Sequence, residues 1–136
     1  MTLWRYLLAV LAWTVASAGI LCAAPVEGTW LVSDRMAITL FACETSVCGR
    51  VAWVRNPTLR TPDICGRIVV WGLIPDGPSK WTNGWVFDPE DGHTYHLSAW
   101  HQSDDLIQAR IYGGWRIFGE TETLRRIANH SLLGWC

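Results

Sequence analysis

Beyond residue 24, polar and apolar residues follow the two-residue period of β-strands, and no segment keeps the 3.6-residue period of an amphipathic helix. Short runs rich in Val, Ile, Thr, Trp and Tyr alternate with Gly, Pro, Asp and Asn, which favour turns. This pattern predicts eight strands. They cover residues 28–32, 36–42, 47–55, 67–73, 81–88, 94–101, 106–112 and 116–127.

Short connections join most of these strands. The segments 88–92 (Asp-Pro-Glu-Asp-Gly) and 103–105 (Ser-Asp-Asp) are typical of hairpin turns. The proline-bounded segment 56–63 is the one connection long enough for a crossover. Sequential antiparallel strands with short connections predict an all-β, up-and-down, eight-stranded barrel, which leaves no exposed sheet edge. A β-sandwich is the alternative.

Two of the predicted strands show clearly which side chains share a face. Their apolar faces carry Tyr95, Leu97 and Ala99 in one strand, and Ile107, Ala109 and Ile111 in the other. The opposite face of each strand is mixed and bears an aromatic residue. A barrel with a packed interior explains this alternation, and so does a barrel with a lined cavity.

The first 24 residues have the composition of a secretory signal peptide. A short segment ending in Arg5 is followed by the apolar residues 6–18, with small residues at the end. Cleavage is predicted near Ala18, with Ala23 or Ala24 as the alternative, and an uncleaved membrane anchor is the rival interpretation. We therefore expect a periplasmic or secreted protein. Its predicted parts are a signal peptide over 1–24, a barrel domain over 25–128 and a tail over 129–136.

The charge of the mature chain argues against polyanionic partners. Loss of Arg5 takes the 11 basic residues to 10 against 12 acidic ones, a formal charge of −2. The basic residues are scattered, which predicts no nucleic-acid binding and no membrane contact except through an uncleaved leader. A domain this close to neutral suits a small apolar or amphipathic partner.

The cysteines predict disulfides, since a secreted chain meets an oxidising compartment. Cleavage would leave four, Cys43, Cys48, Cys65 and Cys136, which allow three pairings. The motif Cys-Gly-Arg at 48–50 recurs at 65–67, which favours a staple between Cys48 and Cys65. Alternatively, Cys43 and Cys48 close a hairpin end, and Cys136 pairs with whichever cysteine is left or stays free.

Several motifs together resemble a known family. They are Glu27-Gly28-Thr29-Trp30, Cys48-Gly49-Arg50-Val51-Ala52-Trp53, Cys65-Gly66, Asp88-Pro89-Glu90-Asp91-Gly92-His93-Thr94-Tyr95 and Phe118-Gly119-Glu120-Thr121-Glu122-Thr123. Their order and spacing over residues 26–127 resemble the bacterial family called domain of unknown function 2147. The resemblance implies a secreted or periplasmic lipocalin-like barrel and no established activity.

The resemblance also implies structural roles for three residues. Lipocalin-like barrels often carry Gly-x-Trp in the first strand and an arginine late in the last strand. Gly28 and Trp30 fit the first part, and Arg125, or alternatively Arg126, fits the second. A guanidinium over an indole face gives a cation–π contact of about 0.5–2 kcal/mol.

No residue group in the sequence specifies a reaction, so we expect no enzyme activity. His93 and His96 are three residues apart and point to opposite faces of a strand, which does not suit one metal ion. The carboxylates Asp88, Glu90 and Asp91 are explained by the turn that they form. The sequence therefore predicts no catalytic residue, no metal site and no cofactor.

The ten tryptophans are the main positive indication of function. Aromatic rings supply apolar area with a polar edge and often line small-molecule cavities. The predicted ligand-binding residues are Trp53, Trp71, Trp85, Tyr95, Trp100, Arg110 and Tyr112, with Trp115 as a further candidate. We expect a protein that binds a small apolar or amphipathic molecule. The alternative is an envelope module without a cavity that contacts another protein or a glycan.

Overall fold

Eight antiparallel strands build the chain in the computed structural model, which describes residues 25–113, 119–128 and 136. Their bounds lie within a few residues of the predicted ones. The strands are β1 (Gly28–Val32), β2 (Met36–Cys43), β3 (Ser46–Val54), β4 (Ile68–Pro75), β5 (Lys80–Asp88), β6 (His93–Ser103), β7 (Leu106–Tyr112) and β8 (Gly119–Ile127). The predicted signal peptide, Trp115 and nearly all of the predicted tail lie outside the described residues.

The strands close into one barrel in chain order. Each strand pairs with the next, and β8 pairs with β1 in antiparallel register, with Trp30 opposite Arg126. The predicted up-and-down barrel is confirmed, and the sandwich alternative is wrong. Along the described residues there is no helix with the length and apolarity needed to cross a bilayer.

The up-and-down order places the connections alternately at two ends of the barrel. The β1–β2, β3–β4, β5–β6 and β7–β8 connections lie at one end, which we call the open end. The β2–β3, β4–β5 and β6–β7 connections lie at the other end, together with the short described segment that precedes β1, and we call it the closed end.

Local side-chain hydrogen bonds shape the connections as the sequence predicts. In the β5–β6 turn, Asp88 Oδ1 accepts a bond from the Glu90 N–H, and Asp91 Oδ1 accepts one from the His93 N–H. Gly92 has a φ of 75°, which glycine adopts without strain. The long β3–β4 connection contains a short 3₁₀ helix, Pro57–Leu59.

The disulfides connect other partners than the repeated motif predicts. Cys43 bonds to Cys48 across the β2–β3 hairpin, and Cys65 bonds to Cys136. The Cys48–Cys65 staple is therefore wrong, and the alternative, in which Cys43 and Cys48 close a hairpin end, is the pairing that the structure has. Gly66, the neighbour of Cys65, donates its N–H to Val51. Val51 lies three residues beyond Cys48, or about 10 Å along a strand.

The two Cys-Gly-Arg copies use their glycines for different reasons. Gly49 lies inside β3, where an added Cβ would come within 2.9 Å of Leu40 Cδ2 and 3.1 Å of Val70 Cβ. Gly66 lies in the β3–β4 connection with a φ of 79° and has open space around it. The first glycine permits close packing and the second permits a turn.

Candidate functional site

A cavity of about 420 Å³ occupies the barrel interior. Its volume falls in the range of small-molecule sites, which is about 300–1,000 Å³. The apolar lining comes from seven strands and from Val26, which precedes β1. It consists of Val26, Val32, Met36, Ile38, Leu40, Val69, Val70, Leu73, Trp81, Val86, Phe87, Leu97, Ala99, Ile107, Ala109, Ile111 and Leu124.

The two-residue period of the strands explains why this lining is apolar. The faces predicted from the sequence, with Leu97 and Ala99 in β6 and Ile107 and Ala109 in β7, are the ones that line the cavity. Ala99 and Ala109 are small, so their positions leave room that larger side chains would fill. Leucine, isoleucine and valine form most of the remaining wall.

Trp30 is buried at the closed end of the barrel, and an arginine covers its ring. Trp30 is 0 % exposed, and its Nε1–H donates a 2.8 Å bond to the Val26 carbonyl. The guanidinium carbon of Arg126 lies 4.2 Å from the Trp30 ring centroid. Its Nη1 and Nη2 donate to the carbonyls of Glu27 and Pro25 at 2.9 and 2.6 Å. The contact therefore ties the segment just before β1 to the end of β8.

Arg126 takes the structural role predicted for Arg125, so that prediction is wrong and its stated alternative is right. Leu124 is buried and lines the cavity, and a strand brings position 126 to the same face. Arg125 points outward and is exposed. Gly28 supports the arrangement, because an added Cβ there would lie 2.8 Å from Arg126 Nη1.

Acidic side chains surround the cavity at the open end. Of the lining residues that the structure describes, six are charged and all lie at this rim. They are Asp88, Glu90, Asp91, Glu120, Glu122 and Arg35. The sequence interpretation of Asp88, Glu90 and Asp91 as turn residues holds for their backbone contacts. Their position at a cavity rim was missed, although Glu120 and Glu122 alternate in phase with the inward Leu124.

Arg35 links three parts of the rim. From the β1–β2 turn, its Nη1 donates to Glu90 Oε2 at 3.1 Å, and its Nη2 donates to Glu122 Oε1 at 3.4 Å. The Ser33 hydroxyl also donates to Glu122. The side chain of Arg35 remains about half exposed, so these ion pairs face solvent.

Tyr95 and Asp91 form a hydrogen bond at the same rim. The phenol of Tyr95 donates to Asp91 Oδ2 at 2.5 Å. This bond, helped by the N–H of His93, lowers the pKa of the Asp91 carboxyl. The same bond raises the pKa of Tyr95, because losing the phenol proton would place two negative charges side by side. At neutral pH the pair is a carboxylate and a neutral phenol.

The structure separates the seven predicted ligand-binding residues into two groups. Tyr95 lines the cavity at its rim, and Tyr112 borders the rim although its ring stacks on His96 at the outer face. The remaining five do not line it, so their predicted place in the cavity wall is wrong. They are Trp53, Trp71, Trp85, Trp100 and Arg110. Sequence reasoning missed Trp81 as a lining residue, because a register shift between Trp81 and Gly84 interrupts the alternation of β5.

Four aromatic rings instead form a row on the outer surface of the barrel. The register places Trp71 opposite Trp85, Trp85 opposite His96, and His96 opposite Tyr112. Ring centroids are 4.1 Å apart for Trp85 and His96, and 5.2 Å apart for His96 and Tyr112. Trp71 and Trp85 remain 36 % and 38 % exposed. We call these four residues the outer aromatic row.

The other predicted residues have structural contacts. The Arg60 guanidinium lies 5.8 Å from the Trp53 ring centroid, and the Arg110 Nη1 donates to Thr121 Oγ1 at 3.2 Å. Trp100 is half-buried on β6. Within residues 25–113, 119–128 and 136, no three His, Cys, Asp or Glu side chains converge as metal ligands would.

Over residues 28–126 the chain matches the family described as an uncharacterized protein conserved in bacteria, DUF2147. The chain belongs to this family. The resemblance inferred from its motifs is thereby confirmed. A comparison of this DUF2147 chain with curated proteins finds no match.

A solved structure shows the same fold as this DUF2147 chain. It is protein HP1028 from the human pathogen Helicobacter pylori, which is described as belonging to the lipocalin family. The two share 16 % sequence identity, with a TM-score of 0.65, over 80 % of this chain and 87 % of HP1028. The barrel of this DUF2147 protein is therefore lipocalin-like.

Proposed function

We propose that this DUF2147 protein binds a small apolar or amphipathic molecule inside its barrel. The observation that carries the proposal is the cavity of about 420 Å³, with an apolar interior and a polar rim. Membership in the lipocalin-like group supports it, because such barrels are wide enough to hold one small ligand.

The apolar surface of the interior provides binding free energy for a ligand. Each Å² of apolar surface removed from water contributes roughly 25 cal/mol, so a ligand that buries about 300 Å² gains about 7 kcal/mol. Ordering the ligand and losing its free motion reduce this gain. A gain of about 7 kcal/mol corresponds to a Kd of about 7 μM before these costs, so we expect a Kd of roughly tens of micromolar or weaker for a well-fitted ligand.

We also propose that the protein works in the periplasm or outside the cell and has no catalytic role. The two disulfides are of the kind that persist in oxidising compartments. The predicted signal peptide gives the route there. Panels of ester, glycoside and phosphate substrates would test the absence of catalysis, and turnover of any of them by the purified chain would contradict it.

A substitution in the cavity wall tests ligand binding. The neutral fluorescent probe N-phenyl-1-naphthylamine should brighten with the mature wild-type protein. Ala109→Phe, which places a ring into the cavity, should weaken this binding about tenfold or more. The matched control Gln108→Phe points outward from the same strand and should bind normally.

The fold of each variant is checked by circular dichroism, and Ala99→Leu replaces Ala109→Phe if the latter unfolds. Unchanged probe binding in a folded cavity variant would show that the probe binds elsewhere. Failure of the wild-type protein to bind any apolar probe would overturn the proposed function.

The outer aromatic row favours a second candidate function, contact with a cell-wall glycan. Flat exposed rings of Trp71 and Trp85 offer stacking surfaces with apolar faces and polar edges. Co-sedimentation with insoluble peptidoglycan would test it, with Trp71→Ala and Trp85→Ala reducing the bound fraction. Equal sedimentation of wild type and variants would remove this candidate.

A further inference from the structure

We propose that the ligand of the barrel is an amphipathic cation, with an amine or ammonium head held at the open end and an apolar body inside. This inference rests on the proposed function. It adds the charge of the ligand and the direction in which it enters.

The first argument is the separation of charge from apolar surface along the cavity. Below the rim, the described lining residues carry no formal charge, down to Trp81 and Ile107 near the closed end. The charged lining residues all lie at the open end. A molecule with a long apolar part and a polar head matches this arrangement only when the head faces the open end.

The second argument is the sign of the rim. Five carboxylates line it, and Arg35 is the only basic lining residue within the described part of the chain. Arg35 pairs with Glu90 and Glu122, which leaves Asp88, Asp91 and Glu120 without a guanidinium partner among these lining residues. A carboxylate or sulfate head would meet like charges here, whereas a cation would meet opposite ones.

The third argument is an aromatic ring beside these carboxylates. Tyr95 lines the rim. Cations are attracted to the faces of aromatic rings, and quaternary ammonium groups are commonly recognised by such rings. The Tyr95 bond to Asp91 holds that ring next to a carboxylate. The ring, the carboxylates and the apolar interior thus select the same class of molecule.

Matched competitors with one chain and different heads test the inference. Dodecyltrimethylammonium, dodecanol and dodecyl sulfate would displace N-phenyl-1-naphthylamine from the mature protein, below their micelle concentrations and at low salt. We expect the cation to bind at least about ten times more tightly than the anion. This preference should shrink as salt is added, since exposed charges are screened within about 10 Å at 0.1 M ionic strength.

Rim variants make the test specific to the residues. Glu120→Gln should weaken the cation several-fold and leave dodecanol unchanged, while Arg35→Gln should strengthen the cation. The control Glu44→Gln removes a carboxylate from the β2–β3 turn at the closed end. It should change the binding of neither the cation nor dodecanol.

The outcomes separate the two proposals. If dodecanol binds but the anion equals or exceeds the cation, the charge inference is overturned and the proposed function stands. The charge inference is also overturned if Glu120→Gln and Glu44→Gln change cation binding equally. If none of the three competitors and no neutral probe binds, the proposed function itself fails.

Discussion

Arg126 in the last strand covers Trp30 in the first, with 4.2 Å between the guanidinium carbon and the ring centroid. The arginine also donates hydrogen bonds to two carbonyls that precede β1. One side chain therefore joins the segment before β1 to the end of β8 and shields Trp30, the most deeply buried of the described tryptophans. It lies at the end of the barrel opposite the acidic rim.

Replacing Arg126 should destabilise the barrel. Arg126→Ala loses a cation–π contact of about 0.5–2 kcal/mol and two hydrogen bonds of about 1 kcal/mol each, for a total of about 2.5–4 kcal/mol. Urea unfolding, monitored by tryptophan fluorescence, measures this loss in the free energy of unfolding. Arg125→Ala is the matched control, and its exposed side chain should change stability by less than about 0.5 kcal/mol. Equal effects of the two would contradict the role assigned to Arg126.

The two disulfides should contribute unequally to stability. They close loops with sequence separations of 5 for Cys43–Cys48 and 71 for Cys65–Cys136. On the chain-entropy relation, the longer loop stabilises by about 4 kcal/mol and the shorter by about 2 kcal/mol. Denaturant unfolding of Cys65→Ser/Cys136→Ser and Cys43→Ser/Cys48→Ser would compare them. A greater loss from the hairpin pair would count against the relation here.

The Tyr95–Asp91 bond should give a stability difference that depends on pH. Asp91 has a lowered pKa, so its contribution is present above the ordinary value of 3.8 and is lost as pH falls through the lowered value. Tyr95 has a raised pKa, so its contribution is present below 10.0 and is lost as pH rises through the raised value.

Tyr95→Phe removes both effects at once. The stability difference between wild type and Tyr95→Phe should be constant between about pH 5 and 9 and shrink outside this window. NMR titration of the Asp91 carboxyl carbon should show its midpoint rising toward 3.8 in the variant. An unchanged midpoint would show that the phenol does not hold the carboxylate ionised.

Adding one methyl group at Gly84 should destabilise the protein. An added Cβ would lie 2.6 Å from Leu73 Cδ2 and 3.2 Å from the Leu97 carbonyl oxygen, inside a packed part of the wall. Overpacking of this kind costs about 1–3 kcal/mol. Thermal unfolding compares Gly84→Ala with Gly113→Ala, where a Cβ meets nothing within 4 Å. A Gly84→Ala midpoint at or above that of Gly113→Ala would contradict this packing.

The faces of the strands were predictable because they depend on a local period. Leu97 and Ala99 could be assigned to one face from alternation alone, and the β5–β6 turn from its Asp and Gly residues. By the same rule Glu120, Glu122 and Leu124 share a face. The period does not show where along the barrel axis a residue lies. That position places Leu124 in the cavity wall and Glu120 at the rim.

The sequence by itself determined the eight strands and their antiparallel succession, since two-residue alternation and turn chemistry act between near neighbours. The tertiary structure decided the features that depend on contacts between segments far apart in the chain. It paired Cys65 with Cys136, chose Arg126 over Arg125, turned Trp71 and Trp85 outward, and gathered five carboxylates at one rim. Strand register and barrel closure set these contacts, because a shift of one residue moves a side chain to the opposite face.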